Sequence, residues 1–255
     1  MDVHKMFDLS GRVALVTGSS RGIGLGIALA LAKAGAKLVF HGSAPSAKLD
    51  QAVAAAKALG AEAVGVTADL GDSAAVARLA KEATAAFGQL DILVQNASVQ
   101  DYVTIEKFTD AEFDREYHCN LRSTFELIQA LLPDMEARGW GRVLTIGSVN
   151  QMKPAARLTI YSSTKSAMVN LVVNLARNHS AKGVTFNNIA PGVILTDRNA
   201  KVLSDEEFSA KIMASIPAGR FGQVEDCAPL ALLLCSEAGS YISGADIPVA
   251  GGMQL

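Results

Sequence analysis

The 255-residue chain is poor in cysteine. Its three, Cys119, Cys227 and Cys235, are irregularly spaced and include no C-x-x-C pair. An odd count without such a motif points to reduced thiols in a cytoplasm. An excess of one charge is missing too. The 23 Lys and Arg against 25 Asp and Glu leave a net −2, so no clustered basic footprint for nucleic acid is expected. No apolar run approaches the roughly 20 residues that span a bilayer. The opening MDVHKMFDLSG lacks a long apolar stretch, so no secretory leader is expected. The four histidines, His4, His41, His118 and His179, show no ligand spacing, which leaves metal catalysis without a candidate set. Low-complexity linkers and charge blocks are absent as well.

What the chain does have is alternation. Half its residues are apolar, enough for a substantial core. Short β-rich runs (RVALVTG, AKLVFHG, AEAVGVTADL, LDILVQNA, GRVLTIGS, VTFNNIAPG, ADIPVAGG) alternate with Ala-rich amphipathic stretches. Helices are predicted over about 23–34, 110–138, 159–181 and 224–236. The strands lack a clean period of two, as expected when both faces are covered in a parallel sheet. Repeated β-α units with right-handed crossovers give an α/β, doubly wound sheet with helices on both faces. A single domain over residues 1–255 is expected.

TGSSRGIG, residues 17–24, lies between the first strand and the first long helix. Gly18 suits the tight turn; Gly22 and Gly24 let a ligand and the sheet approach the backbone closely. The helix start offers free N–H groups to a pyrophosphate. Farther on, YSSTK places Tyr161 and Lys165 four residues apart, on one face of a helix. An ammonium beside a phenol favours the phenolate, so the pair is expected to lower the tyrosine pKa and let it exchange a proton with a carbonyl or alcohol. Ser148 ends a buried strand at the carboxyl edge of the sheet, where α/β ligands bind. Its hydroxyl is placed to bond a substrate oxygen.

The T-G-x-x-x-G-x-G turn, Asn96–Ala97 after the fourth strand, Gly147–Ser148, YSSTK thirteen residues beyond Ser148, and Pro191–Gly192 with Thr196 occur in an order that resembles the short-chain dehydrogenase/reductase family, including 3-oxoacyl-[acyl-carrier-protein] reductases and sugar dehydrogenases. The resemblance runs from about Leu9 to Gly252. It implies a Rossmann-type fold and an enzyme that interconverts a secondary alcohol and a carbonyl by hydride transfer with a nicotinamide cofactor. It assigns catalysis to Asn120, Ser148, Tyr161 and Lys165, with Tyr161 as general acid/base, Lys165 also on the nicotinamide ribose, and Asn120 on a water-linked proton path from the lysine. It implies a cofactor cleft formed by Gly18, Ser20, Arg21, Gly22, Ile23, Gly24, Ser43, Asp69, Leu70, Asn96, Ala97, Pro191, Gly192, Ile194 and Thr196 together with Tyr161 and Lys165. A non-catalytic cofactor-binding sensor on the same fold is the alternative, but such a protein would be expected to lose Tyr161 or Lys165. The chain departs from the family at Gln95 and Ser98, where the usual motif is N-N-A-G.

After the second strand the chain reads Gly42–Ser43, with no carboxylate for a ribose 2′-hydroxyl. With Arg21 in the turn, this favours NADP(H), NAD remaining possible; a further basic residue at Ser43 is missing. By resemblance, residues 193–220 form a substrate lid. That segment and residues 149–158 hold Lys153, Arg157 and Arg198, each of which reads either as a solvated surface charge or as a contact for an anionic sugar acid. The expected partner is a small carbonyl or alcohol, or an acyl-carrier-protein thioester docked near Arg138, Arg142 and Lys182. No nucleic acid or membrane partner is expected. By resemblance the helices holding Asn120 and Tyr161 pair across subunits, so with apolar stripes that include Leu127, Leu131, Met168 and Val172 a homotetramer, at least a dimer, is expected.

Overall fold

The computed structural model describes residues 2–255 and, except for Lys201 and Val202, their side chains. Seven strands form one parallel sheet: β1 Val13–Val16, β2 Lys37–Gly42, β3 Ala63–Thr67, β4 Ile92–Gln95, β5 Gly141–Ile146, β6 Val184–Pro191 and β7 Asp246–Val249. Their order is β3-β2-β1-β4-β5-β6-β7. The helices are α1 Val3–Met6, α2 Gly22–Lys33, α3 Ala47–Ala58, α4 Ser73–Phe87, α5 Asp110–Tyr117, α6 Ser123–Ala137, α7 Thr159–His179, α8 Asp197–Leu203, α9 Glu206–Ala214 and α10 Val224–Cys235. No helix among the described residues is long and apolar enough to cross a membrane.

The missing alternation has a direct cause. Val13 and Leu15 pack into the layer that holds α4, α6 and α7. Ala14 and Val16 point the other way, into the layer of α2 and α10. Both faces of β1 are apolar because both are covered. β4, β5 and β6 are likewise buried along their whole length.

Chain order reverses between β1 and β4, which pair with Val16 opposite Val94. Their carboxyl ends diverge there and open a crevice, the usual ligand position in such sheets. The helix predicted over 110–138 begins with a Thr109–Glu112 capping box. It is interrupted by a π-helical turn at His118–Arg122 before α6 resumes. Such turns are rare and concentrate at functional sites. Residues 193–222 leave the sheet as α8 and α9 and return, pinned where Leu195 N–H donates to Gly222 O and Gly222 N–H donates to Val193 O, both at 2.9 Å.

The stripes expected to pair subunits face inward instead. Leu127 and Val172 have 0% exposure, and Leu131 and Met168 are also buried. Leu127, Leu131 and Val172 belong to the layer beneath the sheet. Outward apolar side chains on these helices are Phe113, Phe125 and Val173. A 3.6-residue period identifies a stripe but cannot say whether the sheet or a second subunit covers it.

Candidate active site

A cleft of about 470 Å³ follows the carboxyl edge of the sheet. Of the residues expected to hold the cofactor, Gly18, Ser20, Arg21, Gly22, Ile23, Ser43, Asp69, Leu70, Asn96, Ala97, Tyr161, Pro191, Gly192, Ile194 and Thr196 line it, and Ser148 joins them. Gly24, Asn120 and Lys165 are not among the residues that line it.

The glycine turn is held by its neighbours. Asn96 Nδ2 donates to Thr17 O at 2.9 Å and Gly18 O at 3.1 Å. Thr17 Oγ1 accepts from Asn96 N–H and Ala97 N–H, each at 3.0 Å. A Cβ on Gly24 would stand 2.4 Å from Asn96 Nδ2, so this helix start can approach β4 only with glycine there. Gly22 has φ +59° and faces the cleft, where a Cβ would meet nothing nearer than Thr196 at 3.4 Å. No side chain caps α2 at Arg21, which leaves its first-turn N–H groups for an anion. A dinucleotide fits this cradle: the turn and α2 would hold the pyrophosphate, with Thr196 beside Gly22, and Tyr161 and Pro191 line the same cleft.

His41, in β2, also supports the turn. Gly18 N–H donates to His41 Nδ1 at 3.1 Å, and His41 Nε2 lies 3.0 Å from Ala68 O. A carbonyl only accepts, so Nε2 carries the hydrogen and the ring is neutral. Burial lowers the His41 pKa below 6.5.

Tyr161 and Lys165 share a buried face of α7. Lys165 Nζ lies 5.5 Å from the Tyr161 ring centroid and donates to Ile146 O at 2.8 Å. Burial, aided by the positive charge of Arg198, lowers the Lys165 pKa to about 7. The expected lowering at Tyr161 does not appear. Burial raises the phenol pKa, against the opposing influence of Arg198 and a hydrogen bond with Ser148. Desolvation acts on both members of the pair and favours their neutral forms.

Ser148 Oγ accepts from Asn150 N–H at 3.2 Å and caps the short helical turn Val149–Gln151. Its backbone N–H donates to Gln151 Oε1 at 3.1 Å, and Gln151 Nε2 donates to Asp246 at 2.8 Å. The hydroxyl is thereby fixed on the cleft wall. Asn120 sits in the π turn. Its Oδ1 accepts from Val99 N–H at 2.8 Å and its Nδ2 donates to Val99 O at 2.9 Å and Thr164 Oγ1 at 3.2 Å. Its side chain therefore fixes the post-β4 loop beside α7 and makes no bond to Lys165. Asp69 Oδ1 accepts from Gly71 N–H at 2.8 Å, while the cap of α4 is Asp72.

Both departures from the family motif find partners. Gln95 accepts from Thr17 Oγ1 at 3.0 Å and donates to Ser123 Oγ at 3.2 Å. Ser98 Oγ accepts from Arg198 Nη1 at 2.9 Å, and Ser98 O accepts from Nη2 at 2.6 Å. Arg198 thus crosses the cleft from α8. The neighbouring Asp197 accepts from Lys48 Nζ at 2.6 Å and lies 3.7 Å from Arg21 Nη1. Lys48, Asp197, Cys119 and Tyr102 were not anticipated at the site. Nothing in their local patterns ties them to the glycine turn or to YSSTK. Of the other cations considered, Lys153 holds Met253 O and Leu255 O, and Arg157 holds Tyr102 O.

The expected basic docking patch is partly taken up within the chain. Arg142 is 3% exposed, with its guanidinium 4.2 Å over Trp140. Arg138 donates to Leu90 O at 2.5 Å, and Lys182 donates to Glu136 at 2.9 Å.

The family model described as enoyl-(acyl carrier protein) reductase matches residues 18–254. Gluconate 5-dehydrogenase of Gluconobacter oxydans is 35% identical over 250 residues, covering 98% of this chain and 97% of that protein. The 3-oxoacyl-[acyl-carrier-protein] reductase of Escherichia coli is 36% identical over 248 residues, covering 97% and 99%. The crystal structure of a 3-oxoacyl (acyl-carrier-protein) reductase from Agrobacterium tumefaciens with NADP bound superposes with a TM-score of 0.94 at 40% identity, over 99% of this chain and 98% of that one. With its parallel sheet, glycine turn and cleft, the chain belongs to the short-chain dehydrogenase/reductase family and is an oxidoreductase.

Proposed function

We propose that the protein interconverts a secondary alcohol and a carbonyl with NADP(H), Tyr161 exchanging the proton. One observation carries this reading: the Tyr161 and Ser148 side chains line the same cleft that the glycine turn enters. The nicotinamide, when bound, supplies or accepts the hydride. The chain does the rest. Gly18, Gly22 and the first turn of α2 hold the pyrophosphate, and Ser148 orients the substrate oxygen. In reduction, Tyr161 donates its proton to that oxygen; in oxidation, its phenolate removes one. Lys165 holds the ribose and, while protonated, favours the phenolate. Asn120 keeps the wall behind Lys165 in register and belongs to the proton path.

The NADP-bound relative supports NADP(H) over NAD, as does the absence of an acidic residue at Gly42–Ser43. Retention of Tyr161 and Lys165 argues against a sensor. We further infer a cytoplasmic homo-oligomer, with residues 193–220 as its substrate lid. The named relatives act on gluconate and on 3-oxoacyl groups. Because Arg142 is buried and Arg138 is held to Leu90 O, a small substrate fits better than a carrier-protein thioester. Arg198, whose charge reaches Tyr161, favours one bearing a carboxylate. The test is NADPH oxidation across keto-sugar acids, neutral ketones and acyl thioesters. The expected result is fastest turnover with keto acids. Turnover confined to acyl-carrier-protein thioesters would overturn the substrate reading, and none with any carbonyl would overturn the enzymatic one.

A further inference from the structure

The first turn of α8 brings a carboxylate to the adenine end of the cleft. Asp197 lies between two cations from distant parts of the chain, Arg21 of the glycine turn and Lys48 in the first turn of α3. Arg21 and Asp197 line the cleft beside Gly42 and Ser43, the end of β2 at which a cofactor's adenosine ribose would bind. The side chains of Arg21, Lys48 and Asp197 are all more than half exposed. They are therefore free to exchange partners, since such surface pairs contribute only about 0–1 kcal/mol.

We propose that Lys48 is the second cation for the cofactor 2′-phosphate, and that Asp197 is the anion this phosphate displaces. The inference rests on the NADP(H) reading above. Charge and geometry carry it. Ser43 supplies no cation, but Lys48, five residues later, meets the cleft through Asp197. A 2′-phosphate carries about −1.5 to −2 at neutral pH, against −1 for a carboxylate. Two cations prefer the higher charge and the three acceptor oxygens. With Asp197 in place the three side chains sum to +1; once it swings away the phosphate meets +2. Because Asp197 opens α8, the exchange also releases the adenine-side tie of this segment. Lys48 sets cofactor specificity without touching the reacting atoms.

The test is calorimetric titration of the full-length enzyme with adenosine 2′,5′-bisphosphate and with adenosine 5′-monophosphate, so that no turnover is involved. The wild type should prefer the bisphosphate. Lys48→Ala should reduce that preference about three- to tenfold, Lys48→Arg should restore most of it, and Asp197→Asn should increase it. A wild type that binds both nucleotides equally would overturn the NADP(H) reading and this one with it. A wild type with the preference, but a Lys48→Ala variant that keeps it or weakens both nucleotides equally, would overturn the role of Lys48 alone. An Asp197→Asn variant with lowered preference would overturn the displacement.

Discussion

Lys165 places an amine where only 2% of its surface meets solvent. Burial lowers its pKa from 10.5 to about 7. Below about 7 both folded and unfolded chains hold the proton, and the folding penalty of the buried charge is full. From about 7 to about 10.5 only the unfolded chain holds it, so the penalty shrinks as pH rises. Lys165→Met should therefore be stabilised relative to wild type, more at about pH 6 than at about pH 9.5. Urea unfolding at both pH values checks this; an advantage independent of pH contradicts it. The i, i+4 spacing made the Tyr161–Lys165 face legible, because helix geometry is local. The direction of the Tyr161 shift was not legible. It depends on how deeply both groups are buried, which no four-residue spacing encodes. Asp197 and Lys48 were hidden for a related reason: they meet through the fold of residues 193–222 and α3, with no periodic link to the motifs.

The glycine turn works as an element because β2 and β4 hold it. His41 accepts the Gly18 N–H and must be neutral to do so. Its pKa is lowered by burial from 6.5. Below 6.5 the unfolded chain takes up this proton first, so stability falls as pH drops toward the folded pKa, where the native ring also protonates and the bond is lost. His41→Gln should flatten that decline. Denaturant unfolding from about pH 7.5 to about pH 4.5 should show wild type losing stability faster than the variant; parallel curves contradict it. The order of strands and helices was readable from runs of Val, Ile and Leu alternating with Ala-rich segments. The π turn at His118–Arg122 was not, since its residues continue the same helical period. It sets Asn120 against Val99, a placement visible only in three dimensions.

At the scale of the whole molecule, the inward turn of Leu127 and Val172 leaves another face for assembly. Phe113 and Phe125, 39% and 48% exposed, flank a groove between α5–α6 and α7 that Tyr117 and Leu171 also line. If a second subunit covers this groove, Phe125→Glu buries a charge there and should yield monomers at micromolar concentration. Light scattering checks this, and a monomeric wild type would contradict the assembly. The molecule also divides its labour across the cleft. Under the proposed function the β1–α2 side would cradle the dinucleotide, while α7 and the end of β5 would meet the substrate oxygen. The two functions should separate in one substitution. Tyr161→Phe keeps the ring and removes the hydroxyl, and loss of a general acid–base group lowers rates roughly 10²–10⁴-fold. The most direct measurement pairs NADPH affinity, followed by fluorescence titration, with turnover on the best carbonyl of the panel. Affinity within about twofold of wild type and turnover reduced by at least about 10² is the predicted result. A Tyr161→Phe enzyme that keeps most of its turnover would contradict the account.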